Sequence, residues 1–119
     1  MEMRPEDLRD RTKAFALRII GLFRSLPYLT DNQVLGKQLL RSGTSVAANY
    51  RAACRARSKA EFVARIGVVA EEADEAVLWL ELLTESGIIS PERTKDLLAE
   101  AKELAAIFTA SQQTAKKAA

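Results

Sequence analysis

Residues 41–58 read RSGTSVAANYRAACRARS, a stretch in which one glycine stands among hydroxyl residues and several arginines follow. A phosphate-binding loop would need more glycine and the spacing G-x-x-x-x-G-K, and neither is present. At about 100° per residue on a helix, the apolar residues share one side and the basic residues share the other. The stretch therefore predicts a helix that packs on one face and carries positive charge on the opposite face.

Two residues of this helix carry specific expectations. Gly43 falls on the packing face, where the missing side chain lets a neighbouring backbone approach closely. Asn49 flanks the same face, and a buried amide without a partner would cost about 1–3 kcal/mol. We therefore expect Asn49 to form a hydrogen bond within the folded protein.

Proline and glycine divide the rest of the chain into helical segments. Pro5 suits the first turn of a helix, because its missing N–H group would have no partner there. Pro27 ends that helix, Gly87 suits a left-handed helix end, and Pro91 suits the start of the last helix. These signals predict helices over about 5–26, 31–56, 59–86 and 91–112. We expect Lys116–Ala119 to fray.

The spacings of polar and apolar residues support the same division. Thr30 with Gln33, and Ser58 with Glu61, are spaced as capping boxes at the starts of the second and third helices. Apolar residues recur every three or four positions in each segment. The predicted core is Leu8, Phe15, Ile19, Leu22, Leu26, Leu35, Leu39, Val46, Tyr50, Ala53, Phe62, Ile66, Val69, Ala73, Ala76, Leu80, Leu83, Leu97, Ala101, Leu104 and Phe108.

The connections between these segments are short, so neighbouring helices must run antiparallel. The sequence of 119 residues, 48% hydrophobic and 29% charged, suits one globular domain. We therefore predict an all-α protein: a single domain over 1–119 that forms an antiparallel up-down-up-down four-helix bundle.

Composition excludes several classes of site and location. The sequence contains no histidine, which rules out histidine-based catalytic triads and histidine metal sites. Cys54 is the single cysteine, so no internal disulfide can form and a reducing compartment is expected. Neither a signal peptide nor a membrane span is visible. We expect a cytoplasmic protein with no cofactor, no metal and no catalytic residue.

Charge is distributed unevenly along the chain. Residues 1–70 carry thirteen Lys/Arg and six Asp/Glu, a net +7, whereas residues 71–119 carry a net −5. This asymmetry suits either a nucleic-acid surface or oppositely charged parts of the protein that attract each other. The simplest interpretation of the basic face is an ordinary helix surface exposed to solvent. The candidate nucleic-acid-binding residues are Lys37, Arg41, Arg51, Arg55, Arg57, Lys59 and Arg65.

The first and third helices carry more apolar residues than one bundle needs. These residues fall on the side away from the predicted core, and clusters of this kind are uncommon on soluble monomers. We expect a homo-oligomer whose subunits meet there, although Trp79 could merely cover a groove between two helices. The predicted interface consists of Leu17, Ile20, Val68, Leu78, Trp79 and Leu82.

Carboxylates on the third and fourth helices suggest an enzyme as a remote alternative. Helical nucleotide pyrophosphohydrolases hold Mg²⁺ with paired carboxylates on two helices. Glu72 and Glu75 share one flank of the third helix, and Glu100 and Glu103 share one flank of the fourth. These flanks face away from the predicted core, which makes a convergent metal site an unfavourable interpretation.

Several of these segments resemble the bacterial "four helix bundle protein" family. The resemblance rests on QLLRSGTSVAANY at 38–50, RSKAEF at 57–62, AEEA at 70–73 and WLELL at 79–83. The first members of that family were products of intervening sequences inserted in large-subunit ribosomal RNA genes. The resemblance implies a homopentamer of four-helix bundles. A related branch, the accessory proteins of diversity-generating retroelements, binds nucleic acid and partners a reverse transcriptase.

The function predicted from the sequence is a non-enzymatic, oligomeric bundle that binds RNA or DNA weakly through electrostatic contacts. The main alternative is an assembly module that binds only protein, either further copies of itself or another partner.

Overall fold

Four α-helices account for most of residues 4–118, the part of the chain that the structure, a computed structural model, describes. The helices are α1 (Pro5–Arg24), α2 (Thr30–Cys54), α3 (Lys59–Glu85) and α4 (Pro91–Lys117). α1 packs on α2, α2 on α3 and α3 on α4, whereas α1 and α4 touch only a little. The predicted antiparallel four-helix bundle is thereby confirmed, and it measures 50 × 26 × 20 Å.

The last helix is longer than the sequence pattern predicts. α4 continues to Lys117 instead of ending near residue 112, and Ala119 lies outside the described residues. The reason is packing by polar groups: the Gln112 amide donates to the Val63 carbonyl at 3.2 Å, and the Lys59 ammonium binds the Ala118 carbonyl. The prediction that this segment frays is wrong for Lys116 and Lys117.

The capping predictions have mixed outcomes. Ser58 is the N-cap of α3, and its hydroxyl accepts from the Glu61 amide at 3.1 Å as predicted. The Thr30 box is wrong, because α2 begins one residue earlier than expected, with Leu29 as its N-cap. At the end of α3, Gly87 has the left-handed φ of 83° that its position predicted.

The core agrees closely with the apolar pattern. Of the predicted residues, Leu35 and Phe62 are half-buried and the others are buried. Asn49 makes its expected hydrogen bond, from Nδ2 to the Ser45 carbonyl at 2.9 Å. Gly43 allows the predicted close approach, but the Ile19 side chain of α1 fills the space instead of a backbone.

A half-buried ion pair joins the two helices that contact each other least. Arg11 of α1 donates from Nε and Nη2 to the Glu100 carboxylate of α4 at 2.8 and 2.7 Å. Its Nη2 also lies 2.9 Å from Glu103 Oε1. The hydrogen bond from Arg11 holds the pKa of Glu100 below its usual range.

A methyl group at Gly43 should destabilise the bundle. Its carbon would lie 2.8 Å from Cγ1 of Ile19, whose side chain is fully buried. We expect Gly43→Ala to lower the free energy of unfolding by about 1–3 kcal/mol. Gly21→Ala is the matched control: no packing neighbour lies within 4 Å there, so helix propensity should raise stability by up to about 1 kcal/mol. Urea denaturation measures both, and equal effects would contradict the packing argument.

The Arg11–Glu100 pair should make stability depend on acid pH. Since the folded state lowers the pKa of Glu100, the pair stabilises above the usual carboxyl pKa of about 4.3 and is lost as pH falls below it. We expect Glu100→Gln to cost about 1–2 kcal/mol at pH 7 and progressively less below pH 4, as denaturation across pH would show. The more exposed Glu103 provides the control, with a smaller effect for Glu103→Gln. A cost that did not change with pH would argue against the pairing.

Candidate nucleic-acid interface

The antiparallel fold collects basic side chains at one end of the bundle. There α1 and α3 begin and α2 and α4 end, so residues far apart in the sequence become neighbours. Basic residues outnumber acidic ones at this end, which we call the basic end. Its basic residues among 4–118 are Arg4, Arg9, Arg51, Arg55, Arg57, Lys59, Arg65, Lys116 and Lys117; its acidic residues are Glu6, Asp7, Asp10 and Glu61.

An open groove of about 360 Å³ lies where α2 turns into α3. Helical periodicity places alanines and arginines alternately on this face of α2, so small residues form the floor and long cationic side chains form the walls. We call this surface the arginine groove. It is lined by Arg51, Arg55, Arg57 and Arg65, with Ala48, Ala52 and Glu61.

A second groove, of about 260 Å³, continues the basic surface onto α1. Arg51 and Arg55 line it on one side and Arg9 on the other, with Cys54 between them. Arg9 was absent from the predicted set. The sequence around Arg9 gives no sign of this role, because Arg9 lies beside Arg51 only through the register between α1 and α2.

The arginine groove keeps its positive charge. No acidic group within residues 4–118 lies within 4.0 Å of a guanidinium nitrogen of Arg51, Arg55 or Arg57, and the same holds for Arg9 and Arg65. Glu61 binds the backbone instead, since its carboxylate accepts from the Arg57 amide at 3.1 Å. Five guanidinium groups on three helices and a corner therefore face solvent without a neutralising partner in the described chain.

The remaining predicted cations lie in different surroundings. The guanidinium of Arg41 binds two carboxylates of α3, Glu72 at 3.0 Å and Glu75. Lys37 lies one turn beyond Arg41, away from the basic end. Lys59 is at the basic end, where its ammonium binds the Ala118 carbonyl. The seven predicted cations therefore fall into two groups. Five lie at the basic end, whereas Lys37 and Arg41 lie nearer the middle of the bundle, where Arg41 is ion-paired.

The tyrosine and cysteine beneath the arginines are structural. Burial raises the pKa of Tyr50 above its usual range, and interaction with the Cys54 side chain adds to this, while nearby Arg9 opposes it. The phenol therefore stays neutral at physiological pH. Its ring packs against Phe108 with the centroids 5.2 Å apart, which links α2 to α4 inside the core.

The predicted oligomer interface falls on two separate faces. Leu17 is 58% exposed on α1, and Val68, Leu78 and Leu82 are exposed on α3. Ile20 and Trp79 are half-buried, and the Trp79 indole donates to Glu75 at 3.1 Å. These faces lie at opposite corners of the bundle, since α1 and α3 do not pack on each other.

Three further exposed apolar residues were not predicted: Tyr28, Leu29 and Val34, around the start of α2. They follow the Pro27 break, where the periodic pattern offers no signal of exposure. None of the helices within residues 4–118 has an apolar segment long enough to cross a membrane.

The carboxylates of the pyrophosphohydrolase alternative do not converge. Glu72 and Glu75 bind Arg41 of α2, whereas Glu100 and Glu103 bind Arg11 of α1. The two pairs therefore point to different sides of the bundle, each toward an arginine. Across the described range, no three acidic or cysteine side chains are grouped closely enough to hold a metal ion.

Comparison with known proteins agrees with this architecture. The model of the family described as 23S rRNA-intervening sequence protein matches residues 7–110. A crystal structure of a protein of unknown function from the S23 ribosomal protein family of Bacteroides thetaiotaomicron superposes with a TM-score of 0.82. It is 32% identical, and the match covers 93% of this chain and 99% of that one. None of the curated proteins compared with the chain matches it.

The family match spans all four helices, including the arginine groove and both exposed apolar faces. The solved relative has the same fold over nearly its whole length. This chain belongs to the family of 23S rRNA-intervening sequence proteins.

Proposed function

We propose that the protein is a non-enzymatic, self-associating helical bundle that binds RNA or DNA weakly through its basic end. The observation that carries the proposal is the arginine groove, whose guanidinium groups have no acidic partner within 4.0 Å in the described chain. Arg11 and Arg41, which lie farther along the bundle, each bind two carboxylates instead. The proposed setting is the cytoplasm.

The chemistry of the groove suits a phosphate backbone. Guanidinium groups donate two parallel hydrogen bonds to phosphate oxygens, and the alanine floor leaves room for a chain to pass between them. Sequence recognition would need contacts with bases, commonly through exposed aromatic rings. Among residues 4–118 the exposed aromatic side chain is Tyr28, at the opposite end of the bundle. The proposed binding is therefore electrostatic and has little sequence preference.

Self-association through α1 and α3 is the second part of the proposal. Large apolar side chains stay exposed on α3 at Val68, Leu78 and Leu82, and on α1 at Leu17. A further copy that covered them would remove this area from water. If nucleic acid does not bind, these faces alone support the alternative, an assembly module that binds only protein.

Removing two groove arginines should weaken nucleic-acid binding and its dependence on salt. We expect Arg51→Gln with Arg55→Gln to lower the affinity for a single-stranded RNA and to reduce the slope of log K against log salt by about 2. Fluorescence anisotropy across a salt series measures both quantities. Arg93→Gln with Lys95→Gln, at the far end of the bundle, removes the same charge and should change little.

Two results would contradict the nucleic-acid proposal. One is wild-type protein that shows no affinity for RNA at low salt, or an affinity that does not fall as salt rises. The other is an equal loss of affinity in both double variants, because net charge alone would then explain the effect.

A charge on the outer face of α3 should disrupt self-association. Leu82→Glu places a carboxylate in the proposed contact, and its exposed position should leave the fold intact. We expect a lower mass by light scattering and an unchanged circular dichroism spectrum. Leu29→Glu is the control, since Leu29 is also exposed but lies at the α1–α2 corner. A mass that Leu82→Glu leaves unchanged would place the contact elsewhere.

A further inference from the structure

The grooves on the two sides of α2 share the same arginines. Arg51 and Arg55 line the arginine groove, which lies between α2 and α3. Both also line the groove of about 260 Å³ between α2 and α1. A third groove, of about 310 Å³, continues between α1 and α2 and is again lined by Arg51, with Lys13. Because Arg51 and Arg55 are exposed and line grooves on both sides, they form the outer ridge of α2.

Cations therefore follow one another across α2 from one groove to the other. Arg57 and Arg65 line the side of α3, Arg51 and Arg55 form the ridge, and Arg9 lines the side of α1. We call these five arginines the cationic track. The track runs across the bundle, whereas the basic stripe predicted from the sequence runs along α2.

The acidic residues at the basic end leave the cationic track open. Glu61 lines the arginine groove, but its carboxylate accepts from a backbone amide at 3.1 Å. Glu6 and Asp7 lie 3.6 and 3.5 Å from Nε of Arg4, which is outside the track. Asp10 lines neither groove of the track, and the same is true of Glu6 and Asp7. The track is therefore positive along its whole length.

The cationic track is strongly curved, because its middle lies on a ridge and its two ends lie in grooves. A helix with its side chains is about 10–12 Å across, so a nucleic acid that enters both grooves must turn around α2 within a few nucleotides. A flexible single strand can make this turn. Duplex DNA is too stiff to do so, since its persistence length is about 150 base pairs. The shape of the track thus suits one strand.

We infer that the protein binds single-stranded nucleic acid in preference to duplex, with the strand crossing α2 over Arg51 between Arg65 on one side and Arg9 on the other. This inference rests on the proposed function and names the form of nucleic acid that the basic end takes. The preference concerns the backbone and not the bases, because the exposed aromatic side chain among residues 4–118, Tyr28, lies at the opposite end. Leu17 lines neither groove of the track, so the track does not use the apolar face of α1.

Electrostatic attraction alone would give the opposite preference. Duplex DNA carries one negative charge per about 1.7 Å of its axis, whereas each of its strands carries one per about 3.4 Å. A flat basic surface therefore binds duplex more tightly than a single strand of the same length. Tighter binding of the single strand would consequently report the shape of the track and not its charge.

The test measures the affinity for a DNA strand of about 20 nucleotides without self-complementary segments, and for the same strand annealed to its complement. At about 3.4 Å per nucleotide the strand spans about 70 Å, which exceeds the 26 Å width of the bundle. Fluorescence anisotropy at low salt gives both affinities. We expect wild-type protein to bind the single strand at least about tenfold more tightly than the duplex.

A double variant removes both ends of the cationic track and leaves its ridge in place. We expect Arg9→Gln with Arg65→Gln to lower the affinity for the single strand, and to reduce the slope of log K against log salt by about 1–2. The affinity for duplex should change less, so the preference should narrow. Arg24→Gln with Arg93→Gln removes the same charge at the far end of the bundle and should retain the preference. Circular dichroism checks that each variant is folded.

The outcomes separate the inference from the proposed function. If neither form of DNA binds at low salt, the proposed function fails, and the inference fails with it. If both forms bind and the duplex binds as tightly as the single strand or more tightly, only the inference is overturned. The inference also falls if Arg9→Gln with Arg65→Gln keeps the full preference for the single strand, because the preference would then not depend on the path across α2.

Discussion

The close approach of α1 to α2 is the contact on which the position of α1 depends. Gly36 and Gly43 leave space on α2, which Ile19 and Phe23 of α1 fill together with Leu26 of the connection that follows α1. α4 touches α1 only a little, with the ion pairs of Arg11 among these contacts, so the position of α1 depends mainly on α2. The two glycines therefore set the register that brings Arg9 beside Arg51.

Two sets of arginines in this bundle differ in what lies opposite them. Arg11 and Arg41, midway along the bundle, each face two carboxylates from another helix. Those at the corner between α2 and α3 face alanines and one another, because Glu61 binds the Arg57 backbone and the other acidic residues of α3 come later in the helix. The charge split along the sequence thus becomes a split along the long axis. One end is left with cations that only solvent or an external anion can neutralise.

Local patterns in the sequence accounted for the helices and the core. The three-and-four spacing of apolar residues identified most buried apolar positions, with Ala16, Ala70 and Ile89 missed. Proline and glycine located the corners to within two residues, apart from the end of α4. That end escaped prediction because Gln112 and Lys59 hold the last turns through contacts with distant parts of the chain. The Thr30 box failed for a smaller reason: the spacing of a hydroxyl and an amide does not decide which residue begins the helix.

The sequence by itself determined an all-α bundle. Helix periodicity and the helix-ending prolines and glycine are local signals, and the short connections between the helices leave one topology. It also determined which side chains of α2 point away from the core. Only the tertiary structure decided which of those cations are neutralised, since ion pairing depends on the register between helices. That register places Glu72 and Glu75 against Arg41 and leaves the arginine groove open. The register depends on packing between residues distant in the sequence, such as Ile19 against Gly43, and no local pattern in the sequence predicts such packing.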